Sequence, residues 1–600
     1  MSEQPARSNS PVSSLSVLAS ASSGAILPLP EPMPLPNHRT RLPMRDGVRL
    51  DTYVWLPDSA NATSQQVPCI LLRTPYKESV MGFRRLGVLR YVDAGYAVVI
   101  QQIRGVGQSE GRFTFNAPHD RSDGYDTVEW IAAQVWCSGA VGMDGSSYAA
   151  MTQLTAASEQ PPHLRCIVPA VPSVDFFREV PYSGGVFSRQ HSINWTRLLQ
   201  IESLNELKSG FIGTMPALSQ PEVLQRLLSR PALDAADGEL IGDFLGHFRD
   251  VLAHPTFDEW FQARTLSPAD YARIDIPTLV VNGNFDLAIG AMNLWRQLEA
   301  NLPSAEHRRL LVGPWDHGQC YAGGTASYGP YTMGDHSVVD LVALRLAFFD
   351  QHLKRQGSGP DLGGRVTAFI TGANEWRHFD SYPPVGVIPL HLYLSSGGHA
   401  NSARGDGRLL REPPAGAQPP DCFVDDPTLP FVPALASALE ASVLLDLRER
   451  ERDFETLVYD SGALTEPLTL FGEGEVDIFV AVDAPDADLM LWLAERRADG
   501  KTVKLATGQL RLRYHGGFDA ERLLAPGEVV KVTIPLTYVG HRIPAGSHLR
   551  LLVSGSNFPW ADPNPHTGEP VATAVEMRSA VQTIFHDSAR LSRLILPVLP

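Results

Sequence analysis

The run Val141-Gly142-Met143-Asp144-Gly145-Ser146-Ser147-Tyr148-Ala149-Ala150 constrains this chain more than any other, because it reads as a short strand that must turn at once into a helix. A turn of that kind, aiming one hydroxyl outward, needs small neighbours, and Gly145, Ser146, Ala149 and Ala150 supply them. Ser147 sits at the tip of this nucleophile elbow. The helix that follows, through Met151-Thr152-Gln153-Leu154, turns unpaired N–H groups toward any negative charge that forms beside Ser147. A Gly-x-Ser-x-small pentad alone is a weak signal, so the partners of Ser147 have to be found independently.

The surrounding pattern is α/β. Apolar runs at 68–73, 97–101 and 166–169, bounded by turn residues and alternating with helical stretches such as 123–134, are what buried parallel strands look like. Asp46-Gly47 between 39–44 and 48–56 predicts an opening antiparallel hairpin. In 194–205, 222–229 and 239–254 apolar residues recur at helical spacing, and the strand pattern then resumes at 278–283 and 309–312. A helical cap inserted into one sheet is the economical reading. Beyond about residue 364, short strands at 366–370, 390–394, 476–482, 489–494, 510–514, 529–534 and 549–553 are punctuated by Gly, Pro, Asn and Asp, which predicts a separate β-sandwich of the jelly-roll type. The expected organisation is a Ser/Pro/Ala-rich tail over 1–36, an α/β catalytic domain over 37–172 and 276–356, the cap over 173–275 and the sandwich over 362–600.

A chain of 600 residues has room for two or three such cores. The 50 basic residues face 66 acidic ones, for a formal charge of −16 with no dense basic run, and this argues against nucleic acid as a partner. The five cysteines are scattered, without a Cys-x-x-Cys pair, so neither a disulfide framework nor a metal site is indicated. No apolar run approaches the ~18 residues needed to cross a bilayer. Ala19-Ser20-Ala21 resembles a signal-peptidase site, but Ser13, Ser14 and Ser16 break the preceding segment; cytoplasmic residence is favoured, with export left open.

A serine acting by acyl transfer needs a base and an orienting carboxylate, in the chain order Ser, Asp or Glu, His, on loops after later strands. The strand at 278–283 runs into Asn284-Phe285-Asp286, and that at 309–312 into Gly313-Pro314-Trp315-Asp316-His317. Asp286 and His317 thus fall at carboxyl ends of strands, on the edge that carries Ser147, where ligand and catalytic groups gather in open α/β sheets. Asp316 is a rival orienter, but adjacent residues on a tight loop rarely aim at each other. The loop Arg73-Thr74-Pro75-Tyr76 is where a second oxyanion donor belongs. Pro75 has no N–H, so the phenol of Tyr76 stands as a side-chain donor beside the Tyr148 N–H, with loop packing as its plain alternative.

These residues resemble the cocaine esterase, α-amino-acid ester hydrolase and X-Pro dipeptidyl-peptidase family. The resemblance is carried by Gly-Ser-Ser-Tyr at 145–148, Arg-Thr-Pro-Tyr at 73–76, Arg104-Gly105 with Gly-Gln-Ser-Glu-Gly at 107–111, and Gly-Pro-Trp-Asp-His at 313–317. Further on it is carried by Thr-Gly-Ala-Asn-Glu-Trp at 371–376, Ser-Gly-Ser-Asn-Phe-Pro at 554–559 and Asn-Pro-His-Thr-Gly at 564–568. It implies an α/β-hydrolase catalytic domain with a helical cap and a jelly roll packed against it. It also implies Ser147, Asp286 and His317 as a triad, and the Tyr148 N–H and Tyr76 hydroxyl as the oxyanion hole. Hydrolysis of an ester, an amide or a short peptide then follows, with no cofactor or metal, and with homo-oligomerisation left open. An acyltransferase using the same acyl-enzyme, and a binding protein acting through the jelly roll, are the alternatives. Two departures from the family stand out. Ala150 replaces a usual Gly, tightening the packing behind the elbow, and Gln102 replaces an Asp that could pair with Arg104. The walls available to an acyl pocket are Trp195, Phe244, Phe248, Trp260 and Phe261, most of them expected to be ordinary core.

Overall fold

A computed structural model describes residues 35–63, 65–76, 82–203, 228–237, 241–286, 290–302, 306–432 and 445–600. The tail expected over 1–36 and the cap helix expected at 222–229 fall almost wholly outside these residues.

The chain opens with the hairpin His38–Pro43 (β1) and Arg49–Trp55 (β2), paired in antiparallel register from His38 opposite Val54 to Pro43 opposite Arg49. There follow Val67–Thr74 (β3), Ala97–Gln102 (β4), Cys137–Ser146 (β5), Leu164–Ala170 (β6), Thr278–Gly283 (β7) and Arg308–Gly313 (β8). A small ribbon, Ser327–Tyr328 (β9) with Tyr331–Thr332 (β10), precedes Val366–Ile370 (β11) and Glu375–Phe379 (β12). The main sheet is ten-stranded in the order β1-β2-β4-β3-β5-β6-β7-β8-β11-β12, parallel from β4 through β11. Both of its faces are covered. One packs on Val128, Leu154, Trp295 and Leu298, the other on Val88, Phe348 and Phe349.

Two expectations are corrected here. The strand at 366–370 does not open the sandwich; it pairs in parallel with β8 and, through the antiparallel β12, ends the α/β sheet. Every residue of β11 is buried, as a strand covered on both faces requires, and its apolar run could not show which sheet it joins. The strand expected at 510–514 is instead the end of Thr502–Arg511 followed by a 3₁₀ turn over Leu512–Tyr514.

The C-terminal strands run Ile388–Ser395, Arg408–Leu410, Asp421–Asp425, Thr456–Ala463, Leu468–Val482, Asp488–Arg496, Thr502–Arg511, Val530–Ile543, His548–Ser554, Ala580–Phe585 and Arg593–Val598. They enclose a core that includes Leu394, Ile478, Leu491, Ile534 and Leu551, a sandwich built almost entirely from antiparallel neighbours.

Between β6 and β7 the regular elements among the described residues are helices, with Arg189–Ser203 and Leu245–Ala253 the longest. This cap is fastened to the sandwich. Gly184 passes so near β-strand residue Gln509 that a Cβ there would lie 1.9 Å from its carbonyl oxygen, and Gln509 donates to the Ser183 carbonyl at 2.7 Å. Phe257 donates its N–H to Phe518. Buried Asp562 receives Arg189 at 2.6 Å and Arg230 at 3.1 Å. Burial pulls the Arg189 pKa down to about 10 despite that carboxylate, so the guanidinium depends on its partner to stay charged inside the protein. Asp562→Ala leaves two buried guanidinium groups without it and should cost about 3–5 kcal/mol, read as a large drop in the thermal midpoint. A midpoint within a degree of the parent would show that the cap does not depend on this pair.

Candidate active site

Ser147 stands between the end of β5 and the helix Tyr148–Ser158, with φ 60° and ψ −125°, a left-handed backbone that a serine adopts only where its surroundings force it. Gly145 makes the turn feasible. A Cβ there would sit 2.6 Å from the Cβ of Ala149, in a backbone at φ 146°. The helix is seated by polar side chains that sequence reasoning missed. Gln153 donates to the carbonyls of Gly145, Ala149 and Val168 and accepts the Val168 N–H, while Thr152 donates to the Arg73 carbonyl. A buried glutamine in a run of Ala, Thr and Leu was the available signal. Beneath the turn, buried Asp144 accepts the Tyr91 hydroxyl at 2.7 Å and lies 3.5 Å from Arg345. Arg345 in turn donates to the carbonyls of Cys320 and Tyr321, just beyond His317.

The loops after β7 and β8 are laced together. Asn284 donates to the Gly313 carbonyl and Phe285 to that of Trp315. Trp315 is fully buried between the strand ends, where a Cβ on Gly283 would lie 2.2 Å from its carbonyl oxygen and one on Gly313 would lie 2.3 Å from its ring. Only glycine lets the two loops approach this closely. Their outcome is a 2.8 Å hydrogen bond between His317 Nδ1 and Asp286 Oδ1. Asp286 has 1% of its side chain exposed and His317 34%, so the carboxylate is enclosed while the imidazole reaches open space. Asp316 is turned away, accepting the Gln319 N–H at 2.8 Å.

Tyr76 follows β3, which lies beside β5 in the sheet, and it is buried. Its own N–H goes to the Thr74 hydroxyl, and its phenol oxygen accepts the indole N–H of Trp195 at 3.0 Å. Tyr148 is pinned: its hydroxyl accepts the Asn116 N–H at 2.9 Å and donates to Asp120 at 3.2 Å. As the first helical residue, Tyr148 has an N–H with no acceptor inside the helix. Of the five aromatic residues considered for an acyl pocket, Phe244, Phe248 and Phe261 are core, Trp260 stacks on His254, and Trp195 donates to Tyr76 and stacks on Tyr148.

Gln102 does not leave Arg104 stranded. Arg104 forms a two-pronged bond with Asp123 at 2.6 and 2.7 Å and meets Asp46 at 2.6 Å. His119, Asp120 and Asp123 are close enough together to hold a cation, but Arg104 and Arg73 already lie against the carboxylates. A cavity of about 610 Å³ opens between cap, sheet and sandwich, bordered by Asp286, His191, Glu179 and Trp560. Burial first, and then the charge of His317, push the pKa of His191 down to about 4, so this second histidine is neutral near pH 7.

A nucleophile elbow, a His–Asp pair on the same sheet edge and a cap above them define a serine hydrolase of the α/β-hydrolase type. Residues 46–319 match the X-Pro dipeptidyl-peptidase (S15 family) model, and residues 359–595 match the X-Pro dipeptidyl-peptidase C-terminal non-catalytic domain. The chain is 30% identical to the cocaine esterase of Rhodococcus sp. (strain MB1 Bresler), over 93% of this chain and 97% of that protein. It superposes on an aminopeptidase from the marine sediment archaeon Thaumarchaeota archaeon with a TM-score of 0.81 and 25% identity, covering 97% and 99% of the two chains. An α-amino acid ester hydrolase gives 0.80 and 25% over 94% and 96%. The chain belongs to this S15 and cocaine-esterase family of serine hydrolases, whose substrates are small molecules or peptides. Among the described residues no helix is long and apolar enough to cross a membrane.

Burial disfavours the charged form of His317, but the charge and hydrogen bond of Asp286, joined by the charge of Asp316, outweigh it and raise the pKa. The imidazole should therefore titrate above the ordinary histidine value of ~6.5, and Asp316→Asn, which keeps an oxygen for the Gln319 N–H, should lower it. The pH dependence of carbethoxylation at His317, read by peptide mass spectrometry, measures both. A midpoint at or below 6.5 that Asp316→Asn does not move would contradict this electrostatic picture.

Proposed function

We propose that this hydrolase cleaves an ester or amide through a covalent acyl-enzyme, with Ser147 as nucleophile, His317 as base and Asp286 as its orienting acid. The observation that carries the reading is the 2.8 Å His317–Asp286 bond on the sheet edge where Ser147 is held in a left-handed turn. His317, fixed through Nδ1, presents Nε2. That nitrogen takes the Ser147 proton as Oγ attacks the carbonyl carbon, and Asp286 stabilises the imidazolium so formed. Negative charge collects on the carbonyl oxygen, where the Tyr148 N–H and the Tyr76 hydroxyl receive it. His317 returns the proton to the leaving alcohol or amine, and the mirror-image sequence with water releases the acid.

The aromatic surroundings of Tyr76 and Tyr148, including Phe113, Phe115 and Phe176, support an apolar acyl group. A second reading has its own observation. Glu179 borders the cavity with its pKa pushed up to about 7 by burial, and a substrate ammonium would relieve that cost. A cocaine-esterase-like enzyme prefers p-nitrophenyl esters without an amine, whereas an aminopeptidase-like one prefers aminoacyl or Xaa-Pro anilides. Assaying these side by side separates the two readings.

Ser147→Ala should abolish turnover and Ser146→Ala should retain most of it; the reverse would put the nucleophile at the wrong serine. Tyr76→Phe removes a hydrogen bond that strengthens only as charge builds, so kcat should fall by about 10²–10³-fold with KM nearly unchanged. A kcat within a few-fold of the parent would take Tyr76 out of the oxyanion hole.

A further inference from the structure

A phenol used as an oxyanion donor has to aim its single proton. The Tyr76 N–H donates to the Thr74 hydroxyl, a bond that holds the chain at that residue and not the rotation of the O–H bond. That rotation is addressed from the cap. Trp195, on the helix Arg189–Ser203, donates its indole N–H to the Tyr76 oxygen at 3.0 Å. Indole nitrogen is a donor only, so the direction of this bond is unambiguous: the Tyr76 oxygen accepts, and its own proton points elsewhere.

The indole is itself held. Its plane lies 9° from that of the Tyr148 ring, with centroids 6.2 Å apart, and Phe113 and Phe115 meet it at 5.8 and 5.3 Å. Tyr148 is immobilised in turn by Asn116 and Asp120. The result is a rigid run from Asp120 through Tyr148 and Trp195 to the Tyr76 hydroxyl. An acceptor bond at the phenol oxygen also strengthens the bond its proton donates, because consecutive hydrogen bonds polarise one another.

We propose that Trp195 is a positioning residue for the oxyanion site, which directs and polarises the Tyr76 hydroxyl through its indole N–H; the inference rests on Tyr76 being the oxyanion donor. The cap therefore carries part of the rate and not only substrate selection. Trp195 reacts with nothing and transfers no proton. Its contribution exists only while Tyr76 has a hydroxyl to receive the N–H.

The test is a double-mutant cycle of Trp195→Phe and Tyr76→Phe on a p-nitrophenyl ester, with kcat and KM measured separately. In the parent, Trp195→Phe should lower kcat about tenfold, as expected for one hydrogen bond, with KM changed less than twofold. In the Tyr76→Phe background the same change should alter kcat by less than twofold. Equal losses in both backgrounds, or a loss confined to KM, would mean that the indole acts by packing alone and would overturn the proposal. A costly Tyr76→Phe beside a silent Trp195→Phe overturns it while leaving the oxyanion role of Tyr76 intact, whereas a silent Tyr76→Phe removes that role and this proposal together. Trp195→His gives a second comparison, since it loses ring area like Trp195→Phe yet keeps a ring N–H. A kcat above that of Trp195→Phe supports donation, and one at or below it supports packing.

Discussion

The site depends first on how near the ends of adjacent strands can be brought to one another. Backbone groups repel any intervening side chain at such distances, and the chain meets this with glycine at the points of contact. Gly283 and Gly313 let Trp315 lie between β7 and β8, and Gly145 lets the elbow helix close on β5. Backbone bonds from Asn284 and Phe285 then fix the spacing of the two loops, and the His317–Asp286 bond is what that spacing permits. A Cβ at Gly283 would meet the Trp315 carbonyl, one at Gly313 the enclosed Trp315 ring and one at Gly145 the Cβ of Ala149, none of them a flexible side-chain end that could give way.

Buried charge organises the second layer. Asp144 beneath the turn, Arg345 beside it and the carbonyls of Cys320 and Tyr321 connect β5 to the segment just past His317. Asp562 connects the cap to the sandwich. Such pairs contribute little net stability against an apolar alternative, but a misplaced partner is costly, so they favour one arrangement of the three parts over others.

Much of this was legible in the sequence because it is local. Short apolar runs bounded by turn residues read as buried strands, and an elbow has few compatible residues. Asp286 and His317 each follow their strand directly, so chain order was enough to bring them to one edge. What failed was non-local. The run at 366–370 has the composition of any buried strand, and only its pairing with β8 assigns it to the first sheet. Gln102 replaces one carboxylate that could pair with Arg104, and the partners Arg104 does meet, Asp123 and Asp46, are 19 and 58 residues away. Trp195 was one of five cap aromatic residues available as walls of an acyl pocket; that its indole N–H meets Tyr76, 119 residues earlier, has no signature in either segment.

The proposed reaction passes through a covalent intermediate on one serine. Rapid acid quench of the enzyme during turnover of a p-nitrophenyl ester, followed by proteolysis and peptide mass spectrometry, tests it directly. An acyl mass increment on Ser147 should appear within the burst of p-nitrophenol release and disappear as substrate is exhausted. An increment on any other residue, or turnover with no acylated peptide under conditions where deacylation is slowed, would contradict it.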